Sequence, residues 1–208
     1  MPLQNRVSPD GEIVATPARG EMYGNRGSCF HRDDKSLKAR HWGNRQWICC
    51  VLQFKNRRRK MMQPGLFTEL FFLDEATAFA AGHRPCFECR RADATLFRRL
   101  WCEVLSPGAK PLAAEMDVRL HAERLREGGV QRVHPRAIDD LPDGAMVRFE
   151  GRAWLVLGAH IHPWSFEGYQ APKRRPHDLT IDCLTPPSTV AILTAGYRPM
   201  LHSSFVAG

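Results

Sequence analysis

Phe72-Leu73-Asp74-Glu75-Ala76-Thr77-Ala78-Phe79-Ala80-Ala81-Gly82-His83-Arg84-Pro85-Cys86-Phe87-Glu88-Cys89-Arg90 decides more about the fold than any other stretch of this sequence. Asp74 has the short acceptor side chain of a helix N-cap, and Gly82 suits the left-handed residue that follows a helix end, so a short helix is expected from Asp74 to Ala81. Pro85 lacks an N–H that a first helical position would not use, which predicts a second helix from Pro85 to about Val104. Leu96, Phe97, Leu100, Trp101 and Val104 form its apolar stripe. Cys86 and Cys89 would then share the first turn with both sulfurs to one side, and the N–H groups there would favour thiolates.

Working outward, Trp47–Phe54 and Leu66–Leu73 read as strands joined across the basic loop Lys55–Lys60, a hairpin. Tyr23–Ser28 reads as a turn. Beyond Ser106-Pro107-Gly108 a helix is expected from Ala114 to Glu127, halted by Gly128-Gly129. Strands follow at Ala145–Glu150 and Ala153–Gly158 about a Gly151 turn, then at Leu179–Leu184, and a last helix at Ser188–Ala195 ends at Gly196. The expected class is α+β, with a module over 1–105 and a helix-plus-sheet lobe over 106–208 that could share one core. Ala195-Gly196-Tyr197-Arg198-Pro199 repeats the Ala81-Gly82-His83-Arg84-Pro85 pattern but continues into Met200 instead of cysteine.

Of the 208 residues, 43% are hydrophobic and 25% charged, which excludes a disordered or collagen-like chain. No apolar run reaches the ~20 residues of a membrane span, and the N-terminal residues lack a signal-peptide apolar stretch, so a cytoplasmic protein is expected. The net charge of +8 is concentrated: residues 1–60 hold 13 Lys or Arg and 5 Asp or Glu, and the remainder is neutral. Clustered cations suit a polyanion, nucleic acid above all. Arg57, Arg58, Arg59 and Lys60 on the hairpin tip, with Arg84, Arg90 and Arg91 around the cysteines, are the candidate phosphate contacts. Trp42 and Trp47 lie between basic residues and suit base stacking or core packing. Seven cysteines, an odd number, argue against a disulfide framework, and the Cys86-x-x-Cys89 spacing suits a metal such as zinc or a redox pair, the latter without the βαβ context it would want.

The quoted stretch resembles the second half of the Ada-type zinc-binding module: a strand, an acidic helix with Glu-Ala, then Ala-Gly-x-Arg-Pro-Cys-x-x-Cys. This module occurs in DNA repair proteins, with a shorter relative appended to some nucleases. The likeness covers about a tenth of the chain. It implies zinc held by Cys86 and Cys89, and an association with DNA in repair, modification or defence. In the shorter relative the upstream half reads His-x-x-x-Cys. Here Phe30-His31-Arg32 fits its start, but Lys35 stands where the cysteine would be. His31 and Cys50 are the expected upstream ligands, Cys50 replacing the missing cysteine, with Cys49, Asp33, Asp34 and Cys29 as alternative replacements. Adjacent strand residues face opposite ways, so only one of Cys49 and Cys50 can serve. The methyl-accepting cysteine of the Ada protein has no counterpart, and methyl transfer is not implied.

An enzyme acting on DNA bases or ends is the alternative. His121-Ala122-Glu123 with Pro85-Cys86-x-x-Cys89 spells the two signatures of zinc nucleobase deaminases in reversed order, although residues two apart on a helix lie ~200° apart. Asp117 and His121, four apart, could form an oriented general base or a surface hydrogen bond. Pro2 would offer a secondary amine if Met1 were removed, as in glycosylases of the formamidopyrimidine type. His160, His162 and His177 form a weaker candidate metal set. Cys102 and Cys183 read as small hydrophobes.

Overall fold

A computed structural model of the chain describes residues 1–56 and 60–205. It is α+β, with four α-helices and two sheets among the described residues. The first sheet is built from β1 (Gln4–Val7), β2 (Ile13–Ala15), β3 (Met22–Arg26), β4 (Trp47–Val51), β5 (Leu70–Phe72) and, after α1 (Glu75–Ala80), β6 (Arg84–Pro85), in the order β2-β1-β5-β3-β4-β6. The helices α2 (Arg91–Leu105) and α3 (Ala113–Arg124) then lead to the second sheet. Its strands are β7 (His134–Ala137), β8 (Met146–Phe149), β9 (Arg152–Leu157), β10 (His160–Ser165), β11 (Gly168–Tyr169), β12 (Lys173–Arg174) and β13 (Thr180–Cys183). They run in the order β11-β10-β9-β8-β13-β7, with β12 on β10, and α4 (Pro187–Thr194) follows.

α1 matches the expectation. Asp74 caps it by accepting from the Thr77 N–H at 2.9 Å, and Gly82 turns the chain at φ +80°. The Gly82 N–H donates to Phe79 O and that of His83 to Ala78 O, a Schellman closure. The second Ala-Gly-x-Arg-Pro copy closes α4 with the same pair of bonds, Gly196 to Leu193 O and Tyr197 to Ile192 O. The second copy also reaches the start of α1: Glu75, its first residue, accepts from Tyr197 Oη and from the N–H of Met200, just beyond the copy, each at 2.9 Å.

Two expectations are corrected. β4 and β5 do not form a hairpin; β3, read as a turn, lies between them and pairs antiparallel with both. All five residues of β3 are buried, so it shows no alternation, and Gly24 is required because a Cβ there would stand 2.2 Å from Ile48 O. Pro85 opens no helix. Arg84–Pro85 pairs parallel with Ile48–Cys49, residues 86–90 form a turn, and α2 starts only at Arg91. The β8–β9 hairpin about Gly151 (φ +75°) matches the expectation.

Ser106 is no break in the core. Phe79, Phe97, Leu100 and Trp101 from one side of it pack in one cluster with Met116, Trp154, Ile192 and Tyr197 from the other. A second cluster, with Val7, Met22, Cys49, Phe72 and Ala78, lies between the first sheet and α1. No helix among the described residues is long and apolar enough to cross a membrane.

Candidate metal centre

Cys50 sits on β4 and Cys86 directly follows β6. The parallel pairing of these strands sets Cys49 opposite Pro85, and the Cys86 N–H donates to Cys49 O at 3.0 Å. The chain then turns, Arg90 N–H donating to Cys86 O at 3.0 Å, which returns Cys89 to the same side. The Sγ atoms of Cys50, Cys86 and Cys89 consequently lie within 4.8 Å of one another. Sulfurs on a tetrahedral zinc with bonds of ~2.3 Å would stand about 3.8 Å apart, so the triangle fits such an ion with little adjustment.

The surroundings favour charge on one of the three sulfurs, that of Cys86. The Glu88 N–H donates to Cys86 Sγ at 3.4 Å. Hydrogen bonds from Cys50 and then Cys89 hold the Cys86 thiol far below the usual range, with the N–H groups of Cys89 and Glu88 adding to the effect. Cys50 is driven the other way, chiefly because it supplies the proton shared with Cys86 and Cys89. Cys49 faces the opposite side of β4, its Sγ 3.8 Å from Arg90 Nη1, and burial first of all raises its thiol. The division between adjacent strand cysteines is the one expected.

All three clustered cysteines line a cleft of about 640 Å³. Its walls include Tyr23, Phe54, Phe67 and Phe71, and Lys60 and Glu88 also line it. Leu52, Leu66 and Phe67 in this cleft are about half exposed.

His31 does not join the sulfurs. It is 2% exposed, with Nδ1 2.8 Å from Thr68 Oγ1 and Nε2 3.2 Å from Gln63 O, so both ring nitrogens are engaged elsewhere. Of the alternatives, Cys29 lies beside His31 with Sγ 3.8 Å from its Nδ1. Lys35, at the missing cysteine's place, sits in a tight turn at φ +67°, its N–H donating to Arg32 O.

Arg84 and Arg90 are likewise corrected as phosphate contacts. Arg84 is buried and bonded through Nε and Nη2 to both carboxylate oxygens of Asp117, each at 2.8 Å. Arg90 is buried, its Nη1 and Nη2 both on Glu75 and its Nε 3.0 Å from Asp93 Oδ2. Arg91 and Lys60 are exposed; Arg57, Arg58 and Arg59 lie outside the described residues.

The alternative catalytic sets are not assembled. Asp117 is held by Arg84, so it does not orient His121, whose Nδ1 is 2.9 Å from Arg124 Nη2. Glu123 accepts from Ser188 at both N–H (2.9 Å) and Oγ (2.6 Å), and His121 is not in the sulfur cluster, so no deaminase-like centre forms. Pro2 is exposed ahead of β1. His177 pairs with Asp139 and His162 packs on Phe205, and no histidine site forms among the described residues. Cys183 is fully buried, as expected, and Cys102 partly so.

Comparison with family models, with curated proteins and with solved structures gives no match.

Proposed function

We propose that this protein is a zinc-stabilised nucleic-acid-binding protein, with DNA as its partner in repair, modification or defence. The observation that carries the reading is the Cys50–Cys86–Cys89 triangle at the wall of an open cleft. Three thiolates suit zinc above the harder divalent ions. The ion would tie β4 to the 86–90 turn. The basic first third would supply sequence-independent affinity, with Lys60 lining the cleft and Lys55 and Arg91 exposed.

One observation favours a second reading, an enzyme acting on DNA bases or ends. Three protein sulfurs leave a tetrahedral ion one position, and the cysteines border a cleft roomy enough for a ligand. A structural zinc is closed by four protein ligands, whereas a catalytic one keeps a position for water or substrate.

The deciding experiment joins elemental analysis of the purified chain with oligonucleotide binding across a salt series. About one zinc per chain is expected, together with affinity that falls steeply as salt rises. A metal-free, folded chain, or binding insensitive to salt, would overturn the reading. The zinc-edge absorption spectrum separates the two versions, three sulfurs plus a light atom marking the open site.

A further inference from the structure

Two interior arginines have no carboxylate of their own among the described residues. Arg26 on β3 is 3% exposed and Arg124 at the end of α3 is 2% exposed. Both guanidiniums lie on the ring of Trp47, at 4.2 and 3.9 Å from its centroid. Their hydrogen bonds go to neutral groups: Arg26 Nη2 to Gly11 O at 2.9 Å, and Arg124 Nη1 and Nη2 to Gly82 O and Arg45 O at 2.8 Å each. The Nε of each has no partner among the described residues. Asp117, the acid acting on Arg124, is already taken by Arg84. Burial lowers both guanidiniums, Arg26 to about 9, as expected for cations short of countercharge.

These two arginines line a second cleft, of about 890 Å³, whose other walls include residues 39–42 and the loop after α3. Arg40, Arg126 and Arg148 line it as well, against two acids, Asp10 and Glu12, and Asp10 is paired with Arg148. Trp42 also lines it; its indole N–H is buried and unpartnered among the described residues, and the Arg40 guanidinium lies 4.9 Å from its ring. Gly129, at φ +80°, lets the chain close on this ring, since a Cβ there would stand 2.6 Å from it. Excess buried cations and spare donors bordering one cleft call for an anion with several acceptor oxygens.

We propose that this cleft is an oxyanion site that takes a phosphate group, free or carried on a nucleic acid, on Arg26, Arg124 and the Trp42 indole N–H. The site does not rest on the metal centre or on the nucleic-acid reading. Thermal unfolding of the full chain in inorganic phosphate, against sodium chloride at matched ionic strength, is the primary test. Phosphate should raise the melting temperature in a saturable way. Trp42→Phe, at a half-buried position, removes one of the three donors and should weaken the apparent phosphate affinity about tenfold, the worth of one charge-assisted bond. Arg40→Ala, at an exposed position on the cleft wall, should weaken it by removing a neighbouring cation. Arg98→Ala, at a half-buried position on α2 outside the cleft lining, should not. A melting temperature no higher in phosphate than in chloride, or equal responses from all three variants, would overturn the site. Paired oligonucleotides with and without a 5′-phosphate then identify the source: preference for the phosphorylated one assigns a nucleic-acid end, and equal binding alongside a full response to inorganic phosphate assigns a free phosphate ligand. A chain that ignores both oligonucleotides yet responds to phosphate breaks the function proposed above and leaves this site standing.

Discussion

Four arginines are buried among the described residues, and they divide into two pairs. Arg84 and Arg90 each hold a carboxylate from a distant part of the chain, Asp117 on α3 and Glu75 on α1. Arg26 and Arg124 hold backbone carbonyls and an aromatic ring. A paired buried cation joins elements, and removing its partner strands a charge. An unpaired one costs stability in the free protein and is retained most economically where something else brings the anion. The same residue type thus fastens elements where the chain supplies a carboxylate, and in the proposed oxyanion cleft it would take its anion from outside.

The largest effect should come from Glu75→Gln. It removes the buried countercharge of Arg90, leaving only the more exposed Asp93, and weakens the acceptor of Tyr197 Oη and the Met200 N–H. A loss of about 3–5 kcal/mol in denaturant unfolding is expected, as for other broken buried pairs. Arg26→Met strands no carboxylate and should cost only about 1–2 kcal/mol, from a hydrogen bond and a ring contact. Equal costs for the two variants would erase the distinction between the pairs.

The cysteines of β4 offer the same contrast one residue apart. Cys50→Ser and Cys86→Ser should empty the metal site, with a stability loss near 4 kcal/mol where free zinc exceeds Kd about 1,000-fold. Cys49→Ser, on the opposite face beside Arg90, should leave the metal content of the purified chain unchanged. Loss of metal from Cys49→Ser would place the site on the wrong side of the strand. Tyr197→Phe is milder: Glu75 keeps Arg90, and about 1 kcal/mol should be lost with one hydrogen bond.

The parts legible in the sequence were those governed by local chemistry. Asp74 and Gly82 bound α1 because a cap and a left-handed residue need no distant partner. Cys50 was separable from Cys49 as a candidate because strand residues alternate. What escaped was set by pairing across the chain. Met22–Arg26 is buried on both faces, so no alternation marks it as a strand, and its Gly24 reads as a turn until Ile48 O is seen against it. Pro85 opens a helix or ends a strand with equal local propriety, and only its alignment with Cys49 decides. His31 carried the spacing of a ligand, but nothing nearby in sequence announces Thr68 and Gln63, which occupy its nitrogens. Arg26 and Arg124 looked like ordinary members of a basic chain. For Arg124 the one signal was distant in sequence, Gly82, which the helix end already explained; a Cβ there would also meet Arg124 Cδ at 2.5 Å.

The smallest effect concerns the protons beside the unpaired arginines. His121 packs on Trp42 and Trp47 and faces Arg124, Arg45 and Arg40. Burial first, and then those three cations, lower its pKa to about 4 from an ordinary 6.5. Between these values the unfolded chain binds a proton that the folded chain refuses, so stability falls as pH drops from 6.5 towards 4 and levels off below. His121 is partly solvated, so the change should be modest, and His121→Gln should flatten it. Phosphate in the neighbouring cleft would offset the cations and move the histidine upward, a shift visible in the His121 imidazole resonances on titration. An unmoved resonance under saturating phosphate would mean that the arginine charges near His121 are not answered by that anion, and the contrast between the two pairs would then have to be explained by packing on Trp47 alone.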